Sequence, residues 1–357
     1  MPNGCLVCYQ HGGIVVLKEG FIINRFSLFQ NKKERFIGKN RYLYRLLRLG
    51  IRTAEVIDNN QILLSVRNII YEFDLLNGAL SEGWSCGTDV RPLVFSKVKD
   101  VTGFDNGIYF GEYKGIMFNQ PVNVYKRISI DNWQVVYTFP KGVINHVHNI
   151  VADPYRQCLW ILTGDFDEAA AIWKVTDNFR KVERVAYNDQ RYRGCVAFAL
   201  PEGLLYATDA PYAENYIYLL NPETMKTQEL YSIHGSSIYG CQWKDRYVFS
   251  STVEGDGRNM SRWEFCFSRK RGAGIKDNYV HLYIGNLNEG FHEVYKEKKD
   301  WLPYYTFQFG AFRFPYGINN TDTLYFQPIA TTENDLGLLY LYDMDLKLCQ
   351  AVVNKNS

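Results

Sequence analysis

The chain has 357 residues, of which 46% are hydrophobic and 22% are charged, and its formal net charge is +2. This composition supplies a large apolar core and excludes an intrinsically disordered chain. Lys and Arg are spread along the sequence, so the concentrated basic surface of a nucleic-acid-binding protein is not expected.

The sequence contains no candidate membrane span. No stretch approaches the roughly 20 apolar residues that cross a bilayer, and the first residues lack a basic segment followed by an apolar one. As written, the sequence predicts a cytoplasmic protein, or a periplasmic or secreted one if a leader peptide has been removed. The eight cysteines lie scattered in strand-like runs, which is typical of buried, reduced thiols.

A hairpin pattern recurs seven times along the chain. Each copy has an aromatic or β-branched run, a turn rich in Asp, Asn or Gly, and a second short run. The copies span residues 21–37, 69–80, 122–139, 171–185, 216–231, 280–295 and 338–353. Two more strand-like runs stand between consecutive copies, for example residues 146–151 and 158–163. Helical periodicity is confined to residues 42–49, which fit equally the first strand of the second unit.

Four short strands in each unit of about 40 to 60 residues predict an all-β fold. We expect a single β-propeller domain over residues 1–357, with seven four-stranded blades and six blades as the alternative. A β-sandwich is the competing fold, but sandwiches do not repeat a four-strand unit seven times.

A carboxylate follows the second strand in four consecutive units. In a propeller blade, the end of the second strand and the start of the first lie beside the central channel, so these side chains are predicted to converge. A ring of carboxylates is an oxygen-rich site suited to calcium, and turn capping is the other role of such residues. The predicted Ca²⁺ ligands are Glu112, Asp165, Asp209 and Glu254.

The starts of the first strands carry cationic and aromatic groups. Because side chains alternate along a strand, His146 and His148 share one face, which predicts either an acid/base pair or a metal pair at a solvated channel mouth. Arg91 and Arg193 equally suit ion pairs between blades. The catalytic candidates are His146, His148, Asp165, Asp209 and Arg193. The substrate-binding candidates are Arg91, Glu112, Tyr192, Tyr239 and Glu254.

Four segments resemble bacterial propellers of the BNR/Asp-box, sialidase-like glycosyl hydrolase family, often encoded among surface-polysaccharide genes. The segments are Tyr109–Tyr113, His146–Tyr155, Leu159–Asp165 and Ala207–Pro211, and the resemblance extends from about Arg45 onward. The Asp-box turn survives only in part, at residues 129–133 and 175–179. Arg91 and Arg193 supply two members of a sialidase arginine triad, and no third arginine stands at a matching position.

The resemblance implies a carbohydrate-active enzyme that cleaves an acidic polysaccharide or oligosaccharide at the channel mouth. As a lyase, it would use a His or Tyr as base and a second such group as acid. As a glycoside hydrolase, it would use two carboxylates such as Asp165 and Asp209. A non-catalytic propeller that binds glycan or protein in a polysaccharide pathway is the alternative.

Overall fold

The computed structural model describes residues 1, 4–28, 32–115, 120–165, 168–343 and 348–350. Within these residues, strands pair into seven antiparallel sheets that follow one another along the chain. The helices of this part of the chain are short, and none is long and apolar enough to cross a membrane.

The first three sheets contain three, three and five strands. The first comprises β1 (Leu6–Gln10), β2 (Gly13–Lys18) and β3 (Phe21–Ser27), and helices α1 (Lys32–Lys39) and α2 (Arg41–Leu46) follow it. The second comprises β4 (Ile51–Val56), β5 (Gln61–Val66) and β6 (Ile69–Asp74). The third comprises β7 (Arg91–Pro92), β8 (Ser96–Val98), β9 (Gly107–Tyr113), β10 (Val122–Ser129) and β11 (Asn132–Phe139).

The last four sheets contain four strands each, paired in chain order. The fourth comprises β12 (Val147–Asp153), β13 (Cys158–Thr163), β14 (Ala171–Thr176) and β15 (Lys181–Tyr187). The fifth comprises β16 (Gly194–Leu200), β17 (Gly203–Thr208), β18 (Asn215–Leu220) and β19 (Thr227–Ile233). The sixth comprises β20 (Tyr239–Trp243), β21 (Arg246–Ser250), β22 (Tyr279–Asn286) and β23 (Gly290–Lys298). The seventh comprises β24 (Ala311–Arg313), β25 (Thr323–Ile329), β26 (Leu339–Tyr342) and β27 (Leu348–Gln350). Helices α3 (Arg262–Phe267) and α4 (Tyr304–Phe307) lie outside the sheets.

Two of the seven predicted hairpins differ from the structure. In the first copy, the residue expected to end the second strand, Ile37, lies in α1. In the second copy, Leu80 forms only an isolated bridge with Phe73. These two sheets therefore have three strands each among the described residues, where four were predicted. The end of the seventh predicted hairpin, Val353, lies outside the described residues.

Residues 41–46 form a helix, so the segment that the sequence allowed to be either helix or strand is helical. The side chain of Asn40 accepts hydrogen bonds from the backbone N–H groups of Tyr42 and Leu43, and so caps the helix. Arg45 on this helix has no exposed surface.

The chain forms two compact units. The central unit comprises Ile51–Asp209 and Ile217–Glu229, and the terminal unit comprises Met1–Gly50, Ala210–Tyr216 and the chain from Leu230 onward. The prediction of a single domain over residues 1–357 stays a prediction. Each unit has an apolar core of side chains from neighbouring strands. That of the central unit includes Tyr109, Phe139 and Leu159, and that of the terminal unit includes Trp243.

The terminal unit contains a buried ion cluster around Arg45. Its guanidinium bonds to the carboxylates of Asp300 and Asp335, the latter at 3.0 Å, and donates to the carbonyl of Phe307 at 2.8 Å. The next residue, Gln308, has φ 68° and ψ 153°, a conformation that almost only glycine adopts without strain. Arg45 therefore anchors a strained segment of backbone.

Candidate functional site

The predicted site residues divide between the two units. Glu112 lies in β9, Asp165 follows β13 and Asp209 follows β17, all in the central unit. Arg91 opens β7, His146 directly precedes β12 and Arg193 directly precedes β16. Tyr239 and Glu254 belong to the terminal unit. Asp165, Asp209 and His146 therefore stand next to the strand ends and strand starts expected from the sequence, and their roles stay predictions.

A register shift occurs near the start of the first strand in three sheets of the central unit. The shift lies between Ile51 and Thr53 in β4, between Val147 and Asn149 in β12, and between Gly194 and Val196 in β16. The residues inside the three shifts are Arg52, His148 and Cys195. Such bulges re-aim side chains and are common beside active sites.

His146 and His148 form the centre of the cluster. Their Nε2 atoms lie 3.0 Å apart. The Nδ1 of His146 is 3.1 Å from the carbonyl of Lys114, and that of His148 is 3.0 Å from the carbonyl of Gly194. A carbonyl only accepts hydrogen bonds, so each Nδ1 carries the hydrogen. Nε2 is thus the remaining ring nitrogen of each histidine, and the two Nε2 atoms face each other.

Asp165 lies beside both histidines. Its carboxylate lies 3.2 Å from Nε2 of His146 and 4.0 Å from Nε2 of His148. Arg193 donates from the opposite side, 3.2 Å from the carboxylates of both Asp165 and Asp209. The thiol of Cys195 donates to Asp209 at 3.3 Å. Two imidazoles, two carboxylates and one guanidinium therefore share a single connected cluster.

The backbone around Asp165 is shaped to bring these groups together. Asp165 has φ 103°, which is strained for a residue with a side chain. At the preceding residue, Gly164, a Cβ would lie 2.4 Å from Cε1 of His148. Only glycine lets the imidazole approach this closely. Strain and close approach at adjacent residues mark the turn as specialised.

Burial and neighbouring charges shift the pKa values of the cluster residues in different directions. Burial, together with His146 and Arg193, lowers the pKa of His148 to about 3, so its ring is neutral at pH 7. Burial raises the pKa of Asp165, but the hydrogen bond from His146 and the charges of His146 and Arg193 outweigh it and hold that pKa well below the usual range. Complete burial raises the pKa of Asp209.

The site is less solvated than the sequence suggested. His146 and His148 are each 2% exposed, where an open channel mouth was expected. The groups of the cluster with more exposed surface are the side chains of Asp165 (18%) and Arg193 (11%). Access to the histidines is therefore from the side of Asp165 and Arg193.

Sequence reasoning missed Tyr113, which packs against the histidines. Its ring centroid is 4.2 Å from that of His146, and the guanidiniums of Arg52 and Arg91 approach its face. Burial and the charge of Asp165 raise the pKa of the Tyr113 phenol, so it stays protonated. The sequence signal that could have identified Tyr113 is its position at the end of β9, directly after the predicted ligand Glu112.

The other predicted residues have separate surroundings. The Glu112 carboxylate pairs with Lys114 at 2.8 Å and accepts from Asn123 and Tyr125. Nε of Arg91 is buried and finds no acceptor within the part of the chain that the structure describes. Tyr192 lies in a short 3-10 helix (Gln190–Tyr192) just before Arg193.

In the terminal unit, the Tyr239 ring faces the guanidinium of Arg313, with 5.4 Å to the ring centroid. Glu254 accepts the Gly272 N–H at its carbonyl and is half-buried. The calcium site predicted from the four carboxylates stays a prediction.

A second histidine cluster lies in the terminal unit. His281 is fully buried, with Nδ1 2.6 Å from Glu293 and Nε2 3.0 Å from Asp277. Nδ1 of His234 lies 2.9 Å from Asp277. Both nitrogens of His281 therefore face carboxylates.

No model of a known protein family matches the sequence, and no curated protein matches it. In structure, the chain is similar to the dihydro-heme d1 dehydrogenase NirN, with a TM-score of 0.54 and 13% identity over 99% of this chain. It spans 65% of the NirN chain. It is also similar to the β-propeller domain of Cps50 (Swd1) from Myceliophteria thermophila, with a TM-score of 0.51 and 9% identity over 92% of each chain. The fold is a β-propeller. The predicted all-β propeller of seven blades is confirmed, and at these identities the similarity shows the fold alone.

Proposed function

We propose that the protein binds an acidic glycan at the central-unit cluster and cleaves it by acid–base catalysis, with His146 and His148 as the proton-exchanging pair. The observation that carries the proposal is the 3.0 Å approach of their two Nε2 atoms beside Asp165. A proton taken up at one Nε2 lies within hydrogen-bond distance of the other. A pair that takes up and returns a proton is the requirement for general acid–base catalysis.

The surroundings favour β-elimination on a uronic acid. Elimination removes the proton at C5, forms the C4–C5 double bond with that electron pair, and expels the C4 oxygen, which takes a proton. The histidine pair accepts the C5 proton, and the protonated Tyr113 phenol protonates the leaving oxygen. The Arg91 guanidinium, whose Nε finds no acceptor among the described residues, binds the uronate carboxylate and makes the C5 proton more acidic.

The resemblance to sialidase-like propellers supports a carbohydrate as the substrate. Because both histidines are almost fully buried, the cluster suits the end of a glycan chain better than its interior. The proposed reaction is therefore elimination near the end of a glycan chain, at a uronate whose C4 oxygen still carries a sugar.

A panel of acidic polysaccharides and oligosaccharides tests the reaction. New reducing ends with the ultraviolet absorbance of an unsaturated uronate support elimination. Reducing ends without that absorbance contradict elimination and indicate hydrolysis, in which Asp209 with its raised pKa is the acid and ionised Asp165 is the base. His148→Gln, Tyr113→Phe and Arg91→Gln should each lower the rate at least a hundredfold. Arg180→Gln is the matched control, since Arg180 is exposed in the same unit.

A glycan-binding propeller without catalysis is the second candidate, and exposed aromatic side chains favour it. Trp263 and Phe267 of α3 stack in parallel at 6.1 Å and are 76% and 61% exposed. Trp301 is exposed and lies under the guanidinium of Arg269. Sugar rings stack on such faces, and the cation suits an acidic sugar. Retention on an acidic-glycan column that is lost in Trp263→Ala, with no cleavage by the wild type, identifies this role.

A further inference from the structure

We propose that His146, His148 and Asp165 form a binding site for one divalent transition-metal ion of the Zn²⁺ type, and that the bound ion blocks acid–base catalysis. The blocking role rests on the function proposed above. The binding site rests only on the geometry of the cluster.

The three ligand atoms have the spacing of a metal site. Zn²⁺ binds imidazole nitrogen at about 2.0 to 2.1 Å in tetrahedral geometry, which places its ligand atoms about 3.3 Å apart. The Nε2 atoms are 3.0 Å apart, and Asp165 oxygens lie 3.2 Å and 4.0 Å from them. Small shifts of the carboxylate bring all three to one ion, and the fourth position stays open to water.

The outer contacts of the histidines are those of metal ligands. A histidine that binds a metal through one nitrogen usually donates its other N–H to a carbonyl or carboxylate, which fixes the tautomer and the ring plane. Nδ1 of His146 and of His148 contact the carbonyls of Lys114 and Gly194. Both Nδ1 hydrogens can therefore stay in place when the two Nε2 atoms bind one ion, and a proton held at Nε2 is released.

The chemistry of the ligand set selects the ion. Two imidazoles and one carboxylate suit Zn²⁺ and its neighbours in the first transition row, whereas Ca²⁺ and Mg²⁺ prefer oxygen ligands. This set shares only Asp165 with the calcium ligands predicted from the sequence. Arg193 opposes a cation, but its guanidinium also pairs with Asp209, which compensates its charge when Asp165 turns to the ion.

The second histidine cluster provides an internal comparison. Both nitrogens of His281 face carboxylates, and one nitrogen of His234 does. At His146 and His148, the two Nε2 atoms also face each other at 3.0 Å, and Asp165 lies 3.2 Å from that of His146. Two basic nitrogens this close need a proton or a metal ion between them, and this pairing of nitrogens distinguishes the two clusters.

Metal and proton exclude each other at this site. Each Nε2 has one lone pair, which either binds the ion or exchanges a proton. A bound ion therefore removes both bases at once. Zn²⁺ should inhibit glycan cleavage with the same midpoint as its binding.

Titration of the chelator-treated, full-length protein with Zn²⁺, followed by calorimetry, tests the binding site without any substrate. We expect one ion per chain whose affinity falls at least tenfold in His146→Ala, His148→Ala and Asp165→Asn. His234→Ala is the matched control and should keep the wild-type affinity. Cys195→Ser should also keep it, which separates this site from one formed by His148, Cys195 and Asp209.

Co²⁺ provides a second measurement if an alanine variant does not fold. Co²⁺ at the site should give the visible absorption of a four-coordinate ion with nitrogen and oxygen ligands, and Asp165→Asn should weaken it. Equal Zn²⁺ affinity in wild type and the three variants, or an equal loss in His234→Ala, would overturn the metal site. If Zn²⁺ binds and cleavage rises, the blocking role is overturned. If no glycan is cleaved at all, the function proposed above fails while the calorimetric result still decides the metal site.

Discussion

Replacement of Arg45 should strongly destabilise the terminal unit. Arg45→Met keeps most of the apolar stem but leaves two buried carboxylates without their guanidinium. Asp300 keeps Lys299 and the Leu302 N–H, whereas Asp335, whose side chain has no exposed surface, keeps the Ala330 N–H. Breaking a buried ion pair from one side costs about 3–5 kcal/mol. We expect a loss of that size in the free energy of unfolding, measured by urea denaturation at pH 7.

Two further variants separate charge from packing. Asp335→Asn in the Arg45→Met background removes the buried charge that lost its guanidinium, and it should restore part of the lost free energy of unfolding. Arg25→Met, the same change at an exposed position of β3, should stay within about 0.5 kcal/mol of the wild type. A loss below about 1 kcal/mol in Arg45→Met would refute the reasoning, because it would mean that the two carboxylates do not need the guanidinium.

Three other outcomes are expected from the structure. Trp160→Ala empties a fully buried site and should lower the free energy of unfolding by about 3–5 kcal/mol. Trp160→Phe should lower it by only about 1–3 kcal/mol, because it chiefly removes the 2.8 Å hydrogen bond to Asp153. Urea denaturation at pH 7 measures both losses, and equal losses would contradict this division between packing and hydrogen bonding. Burial raises the pKa of Asp300, but the hydrogen bonds from Arg45 and Lys299 outweigh it and hold that pKa below its usual value, so the stability that Asp300 provides should be lost as the pH falls below about 4. In Asp300→Asn, the free energy of unfolding should therefore fall less steeply with acid pH than in the wild type. An unchanged pH dependence would argue against this role of Asp300. Gln308→Gly should raise the melting temperature in a thermal scan by relieving backbone strain of about 1 kcal/mol or more, and a lower temperature contradicts the strain.

The sheet pattern was predictable because it is local. Alternating apolar runs and turn residues close together in sequence specify the hairpins, and those beginning near residues 122, 171, 216 and 280 form as predicted. In the first two predicted hairpins, the second run does not form the predicted strand. The sequence near Ile37 has few strand-forming residues, and a capped helix follows it.

The candidate site was predictable in position and not in environment. Strand ends and strand starts locate Asp165, His146 and Arg193, because a repeated fold brings corresponding positions together. Burial of the histidines depends on Gly164 and on the register shift at His148, which are tertiary features. Arg45 and its partners are separated by 255 and 290 residues, and no local pattern reports such a distant contact.

The three register shifts give the central unit three corresponding positions. A residue inside a bulge has no residue directly opposite it in the strand register, so the sheet does not dictate its side chain. The same place in the first strands of the second, fourth and fifth sheets holds a guanidinium at Arg52, an imidazole at His148 and a thiol at Cys195. The bulge therefore carries a cation, a base or a thiol at this place without a change in the strand pairing on either side, and a designer can use these three positions to install new chemistry.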